Sequence, residues 1–184
     1  KDEVALNVEP VTPRYSMSQL VLAKETQDEL SDIITLIRKK DLIYKDWGFS
    51  DVDPIARSVV NFYGPHGTGK TMAAHAIVKE LGLPFLPLNY SDIESKFVGD
   101  APKNLVAAFK KAKETNSVLF FDEADSFLGK RITNVSSSSD QAINSLRSQM
   151  LILLETYDLI TIFATNLKVN YDQAFESRIL KHSI

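Results

Sequence analysis

The sequence contains no cysteine, which excludes disulfide scaffolds, thiol catalysis and Cys-ligated zinc or iron–sulfur sites together. It also lacks a surplus of positive charge: 21 Lys and Arg against 24 Asp and Glu leave a formal net charge of −3. That balance provides no global field of the kind that gathers nucleic acid or anionic lipid, so nucleic acid is not indicated as a partner. Long apolar runs are missing as well. The longest reach four or five residues, as in Met150 to Leu154, far below the roughly 20 needed for a membrane-crossing helix, and no membrane span is expected. The opening Lys1-Asp2-Glu3 has neither an initiator Met nor the charged-then-apolar pattern of a secretory signal. The chain is therefore expected to be an excised piece of a longer protein. The missing cysteines permit an intracellular compartment, and a cytoplasmic one is expected. No internal repeat is visible, and low complexity is confined to Ser136 to Ser139, inside an expected loop from Arg131 to Asp140.

What is present suffices for one domain, since a chain of 184 residues can bury roughly two-thirds or more of its unfolded surface. Residues 1–18 hold Pro10, Pro13 and little periodicity, and read as an extended arm or linker ahead of a domain over residues 19–184. Leu30, Ile33, Ile34 and Ile37 recur at helical spacing and predict an amphipathic helix from Lys24 to Lys40. Apolar, β-branched and aromatic runs predict strands at Ser58 to Tyr63, Phe85 to Leu88, Val118 to Phe121 and Ile160 to Ala164. Between them lie helical stretches from Lys70 to Leu81, stopped by Gly82 and Pro84, from Pro102 to Thr115, and from Gln141 to Tyr157 with Asp140 as N-cap. Strands this apolar cannot face water on either side. Their alternation with helices predicts an α/β fold, a parallel sheet with helices on both faces, whose ligands bind at the strands' C-terminal ends.

One such end carries a phosphate-binding pattern. Gly64-Pro65-His66-Gly67-Thr68-Gly69-Lys70-Thr71 fits G-x-x-x-x-G-K-[ST] and sits between a predicted strand and a predicted helix, where that pattern has meaning. The glycines let backbone N–H groups converge on phosphates, and the following helix dipole favours the same negative charge. Lys70 would reach the β- and γ-phosphates, and Thr71 would place a hydroxyl on Mg²⁺, a cation that prefers oxygen ligands. Met72 completes the candidate nucleotide-binding set. A Gly-rich strand-to-helix turn with no ligand is the competing reading, but it needs neither the Lys nor the Thr. His66 occupies a variable position and reads as a spacer.

Val118-Leu119-Phe120-Phe121-Asp122-Glu123 is an apolar strand ending in adjacent acids. Because neighbouring strand residues point to opposite sides, Asp122 is expected to face the metal and Glu123 to orient or polarise an attacking water. Taken alone, the pair reads equally well as a solvated strand end followed by a helix N-cap; beside the phosphate loop, the functional reading prevails. Asp125 is expected to cap a helix or join a structural salt bridge.

With these residues in order and spacing, the chain resembles the AAA+ ATPases, specifically their AAA subgroup, from about Leu20 to Arg178. GPHGTGKT is similar to that family's phosphate loop, with His66 where a second proline is more usual, and VLFFDEAD is similar to its acidic strand. The resemblance implies the large nucleotide-binding subdomain of a P-loop NTPase, and the helical lid that the family carries next lies beyond this sequence. Ile162-Phe163-Ala164-Thr165-Asn166 resembles the polar sensor on the strand between the phosphate-loop and acidic strands. Asn166, otherwise read as a turn residue, would then hold the attacking water or the γ-phosphate. Ser95-Lys96-Phe97-Val98-Gly99-Asp100 resembles a pore loop in which Phe97, with Lys96, Val98 and Gly99, would grip a polypeptide; an aromatic packed under a loop is the alternative. Asp172 to Arg178 resembles the stretch supplying an arginine finger in trans, for which Arg178 is the candidate; a surface charge at a helix end competes. Lys181 stands where many members have a second Arg. Arg131 lies near the family's second pore-facing loop and is assigned no catalysis. Leu20-Val21-Leu22 would form part of the adenine wall, without the glycine common there.

The resemblance implies ATP and Mg²⁺ as cofactors, ATP hydrolysis, a homo-oligomeric, hexameric ring and a protein substrate. Two alternatives stay open: a nucleotide-gated scaffold or regulatory module without turnover, and a nucleic-acid-remodelling motor. A GTPase is disfavoured because no Asn-Lys-x-Asp segment follows the acidic strand. A small-molecule kinase would not account for the Phe97 and Asn166 segments.

Overall fold

The computed structural model describes residues 6, 8–48, 58–94, 100–128, 134, 136–166 and 180–183. In chain order the elements are α1 (Lys24–Asp46), β1 (Ser58–Tyr63), α2 (Lys70–Leu81), β2 (Phe85–Asn89), α3 (Tyr90–Ile93), α4 (Asp100–Thr115), β3 (Val118–Asp122), α5 (Asp125–Leu128), α6 (Ser138–Thr156), β4 (Ile160–Thr165) and β5 (Leu180–Ser183). The strands form one sheet in the order β2-β3-β4-β1-β5, and every neighbouring pair is parallel. This is the parallel sheet with helices on both faces that the sequence pattern predicts.

Strand residues alternate between two apolar layers. Val59, Leu119, Phe121 and Phe163 join α4 and α6 on one face, while Val60, Phe62, Phe120 and Ile162 join α1 and α2 on the other. Burial on both faces explains why these strands read as continuous apolar runs. Phe121 is the hub of the first layer, in ring contact with Phe109, Phe127 and Phe163 at centroid separations of 6.1, 5.6 and 5.4 Å. Truncating such a ring to alanine costs about 3–5 kcal/mol through lost transfer energy and a residual cavity.

The four predicted strands and the helix at Lys70–Leu81 form where expected. Several details differ: the short helices α3 and α5 were not expected, and α4 begins at Asp100, two residues before the expected start. α1 runs on to Asp46. The serine run is not wholly loop: Ser138 opens α6, and the N-cap is Ser137, whose hydroxyl accepts from the Asp140 N–H at 3.3 Å. Asp140 therefore lies inside the first turn, where its carboxylate accepts from the Ser136 N–H and hydroxyl; these bonds hold its pKa low. Finally, β5 adds a strand beside β1 that no apolar run announces.

Among the described residues before α1, Met17–Gln19 form a short 3-10 turn, and the stretch ahead of it is docked on the sheet. Val11 exchanges two backbone hydrogen bonds with Phe85, at 2.7 and 2.9 Å, covering part of the otherwise open edge of β2. Leu6 and Val8 pack on the first apolar layer, Met17 and Leu20 on the second.

Candidate functional site

The phosphate loop leaves β1 at Gly64, whose N–H donates to the Thr165 carbonyl at 3.2 Å, so the loop starts anchored to the end of β4. Gly67 and Gly69 take φ of +77° and +94°, values that a side chain would strain. They turn the chain into α2 while Thr68 Oγ1 donates to the Pro65 carbonyl at 2.9 Å and closes the loop. Pro65, His66 and Gly67 are exposed, and Met72 is half-buried against the α1–α2 layer.

Lys70 is buried at 8% exposure. Its Nζ donates to the Gly64 and Pro65 carbonyls at 2.6 and 2.9 Å, and it makes no ion pair among the described residues. Burial lowers its pKa, and the nearby carboxylates of Asp122 and Asp125 partly oppose that effect. An ammonium buried against loop carbonyls suits an incoming polyanion, which can supply the full negative charge that carbonyl dipoles do not.

Asp122, at the end of β3, is half-buried, and its Oδ2 lies 3.5 Å from Thr71 Oγ1. A hydroxyl and a carboxylate so placed are hard oxygen donors of the kind Mg²⁺ takes while keeping several waters, so these two residues fit that ion and would hold it. Among the described residues no cluster of three or more His, Asp or Glu offers another metal site.

Glu123 is exposed, but strand alternation does not aim it, because β3 ends at Asp122. The chain turns there: Glu123 has φ of +52°, its N–H donates to Asp122 Oδ1 at 2.9 Å, and the next N–H, of Ala124, donates to the Ala164 carbonyl at 2.9 Å. The left-handed residue, not the pleat, separates the two carboxylates.

β4 lies between β3 and β1, which brings Asn166 to the same sheet end as the phosphate loop and the acidic pair. Its N–H donates to Asp125 Oδ1 at 3.3 Å. Asp125, expected only to cap or to form a salt bridge, thus tethers the Asn166 segment to the turn after β3. Neither this tether nor a buried side-chain pair between Asn61 and Thr165 has a local sequence signal. Leu20 is buried and Val21 fully exposed, with Gln27 Nε2 donating to the Leu20 and Leu22 carbonyls, each at 3.4 Å. Lys96, Phe97, Val98 and Gly99 of the expected pore loop, Arg131 and the arginine-finger candidate Arg178 lie outside the described residues. No helix among the described residues is long and apolar enough to cross a membrane.

Several known proteins are similar to this chain over most of its length. The ATP-dependent zinc metalloprotease FtsH of Lachnoclostridium phytofermentans is 33% identical over 165 residues, covering 88% of this chain and 28% of that protein. The outer mitochondrial transmembrane helix translocase of Danio rerio is 32% identical over 179 residues, covering 94% and 47%. The proteasome-activating nucleotidase of Saccharolobus islandicus is 32% identical over 147 residues, covering 79% and 36%. The chain thus spans less than half the length of each of these relatives. Residues 60–183 match the family described as "ATPase family associated with various cellular activities (AAA)", a span from β1 to β5 that contains the phosphate loop, the acidic pair and Asn166, and the chain belongs to that family of ATPases.

Proposed function

We propose that this domain binds ATP with Mg²⁺ and hydrolyses it as one subunit of a hexameric ring motor that remodels protein. The observation that carries hydrolysis is the convergence, at one sheet end, of buried Lys70, the Thr71–Asp122 oxygen pair, exposed Glu123 and tethered Asn166. Lys70 and the loop N–H groups bind and orient the β- and γ-phosphates. Mg²⁺, when bound, supplies charge neutralisation on the phosphate oxygens. Glu123 orients the attacking water and draws on its proton, and Asn166 holds that water or the γ-phosphate. Water adds to the γ-phosphorus as the bond to the ADP oxygen breaks, and Arg178 of a neighbouring subunit stabilises the developing charge.

Support for a protein substrate comes from relatives named as a metalloprotease, a transmembrane helix translocase and a proteasome-activating nucleotidase, together with the Phe97 segment. A cytoplasmic setting belongs to the same proposal. The test is ATP turnover per subunit across protein concentration for wild type, Glu123→Gln and Arg178→Ala. Activity that rises with concentration and falls by about 1,000-fold in Arg178→Ala supports a site completed between subunits. Turnover independent of concentration with a silent Arg178→Ala sinks the ring mechanism, and absent turnover with retained ATP binding favours a nucleotide-gated module.

A further inference from the structure

β1 is an apolar strand with one amide in its middle, Ser-Val-Val-Asn-Phe-Tyr. Asn61 is completely buried, a position where an amide is tolerated only with hydrogen-bond partners. Asn61 Nδ2 donates to Thr165 Oγ1 at 3.2 Å, and the Thr165 hydroxyl lies 3.4 Å from Asn61 Oδ1, to which it donates in return. Thr165, the last residue of β4, is equally buried. The pair is diagonal across the two strands, since Asn61 stands opposite Phe163 and Tyr63 opposite Thr165. By the pleat alternation both side chains lie on the face that Val59 and Phe163 share with α4 and α6.

Each partner leads directly into the site. From Asn61 the chain runs through Phe62 and Tyr63 to Gly64, whose N–H is held by the Thr165 carbonyl. Thr165 is followed by Asn166, itself held by Asp125. An aliphatic residue would fill the place of Asn61 with no directional demand. The amide–hydroxyl pair has one register in which both bonds form, because a slip of one residue turns Thr165 to the opposite face.

We infer that Asn61 is a positioning residue for hydrolysis: by holding the Thr165 hydroxyl it fixes the end of β4, and with it Asn166, relative to the phosphate loop. This rests on the proposed ATPase reading and assigns it a residue beneath the site rather than in it.

The experiment compares Asn61→Leu, Thr165→Val, the double variant and Thr165→Ser by thermal unfolding, steady-state ATP turnover and titration with a fluorescent ATP analogue. Either single change breaks the pair and leaves the other side chain without this partner, so both lower the unfolding temperature; the double removes both polar groups and recovers part of it. kcat is expected to fall roughly tenfold or more in both single variants and to stay low in the double, with nucleotide affinity within about twofold of wild type. Thr165→Ser keeps the hydroxyl and should retain wild-type kcat. A double variant that regains kcat along with stability overturns the inference, as does a Thr165→Ser variant as slow as Thr165→Val. A wild type that binds the analogue without turning over ATP overturns the ATPase reading and the inference with it, whereas an active wild type with a fast double variant overturns the inference alone.

Discussion

Glu123 should be a residue at which stability and activity pull in opposite directions. Its φ of +52° places a Cβ in the left-handed region, at a penalty of about 1–2 kcal/mol for a residue other than glycine. The side chain is exposed, and the bond that holds the turn uses the backbone N–H, donated to Asp122 Oδ1, which any non-proline residue retains. Glu123→Gly therefore removes the Cβ penalty and keeps the turn, offset by about 0.5–1 kcal/mol for the greater chain entropy glycine loses on folding. The net gain is about 0.5–1 kcal/mol, and for a chain of this length 1 kcal/mol corresponds to about 2–4 °C in Tm. Glu123→Gln keeps the Cβ and should leave stability unchanged, while Glu123→Asn should fall between the two because Asn tolerates the left-handed region better. Thermal or urea unfolding without nucleotide is the assay, since nucleotide would add its own binding energy to the folded state. ATP turnover should be lost in all three variants. A glycine variant no more stable than the glutamine variant refutes the strain argument; a glycine variant that still hydrolyses ATP refutes the role of the carboxylate.

Two further outcomes follow from buried polar groups. Thr161 Oγ1 in β4 is buried with no hydrogen-bond partner among the described residues, so the isosteric Thr161→Val should raise stability by about 1 kcal/mol, read as about 2–4 °C in Tm; no rise would mean that the hydroxyl is satisfied. His75 in α2 accepts from the Arg14 N–H at 3.1 Å between the rings of Tyr15 and Phe85, and burial, helped by the Arg14 charge, holds its pKa below the ordinary 6.5. The unfolded chain then binds the proton more readily than the folded one, so this contribution is complete above about pH 6.5 and is lost as pH falls toward the folded value. Urea midpoints from about pH 8 to about pH 5 should decline on the acid side, and His75→Gln should flatten that decline; an unchanged slope would remove His75 as its source.

Much of the site was legible in the sequence because its parts act over short range. Strand ends follow from apolar runs, and the phosphate loop from glycines and a Lys whose acceptors, Gly64 and Pro65, lie in the same loop. A sensor role for Asn166 could be proposed only through the family resemblance, since nothing in its own neighbourhood distinguishes a sensor from a turn. β5 escaped notice because Leu-Lys-His-Ser has no apolar run; its pairing with β1 is made by backbone groups. The arm's docking on Phe85 is likewise a backbone exchange, which leaves no mark on side-chain pattern.

The sequence by itself determined four of the strands and the longer helices, the position of the glycine-rich loop with its Lys and which acids follow the third of those strands, because periodicity, turn chemistry and the loop motif are local. The place of β4 between β1 and β3 was expected only through the family resemblance and follows from no residue of that strand, while tertiary structure alone decided the left-handed turn at Glu123 and the pairing of Asn61 with Thr165 across 104 residues. These depend on how parallel strands are ordered and packed in space, and strand order is set by crossovers between segments far apart in the chain, not by the residues of any one strand.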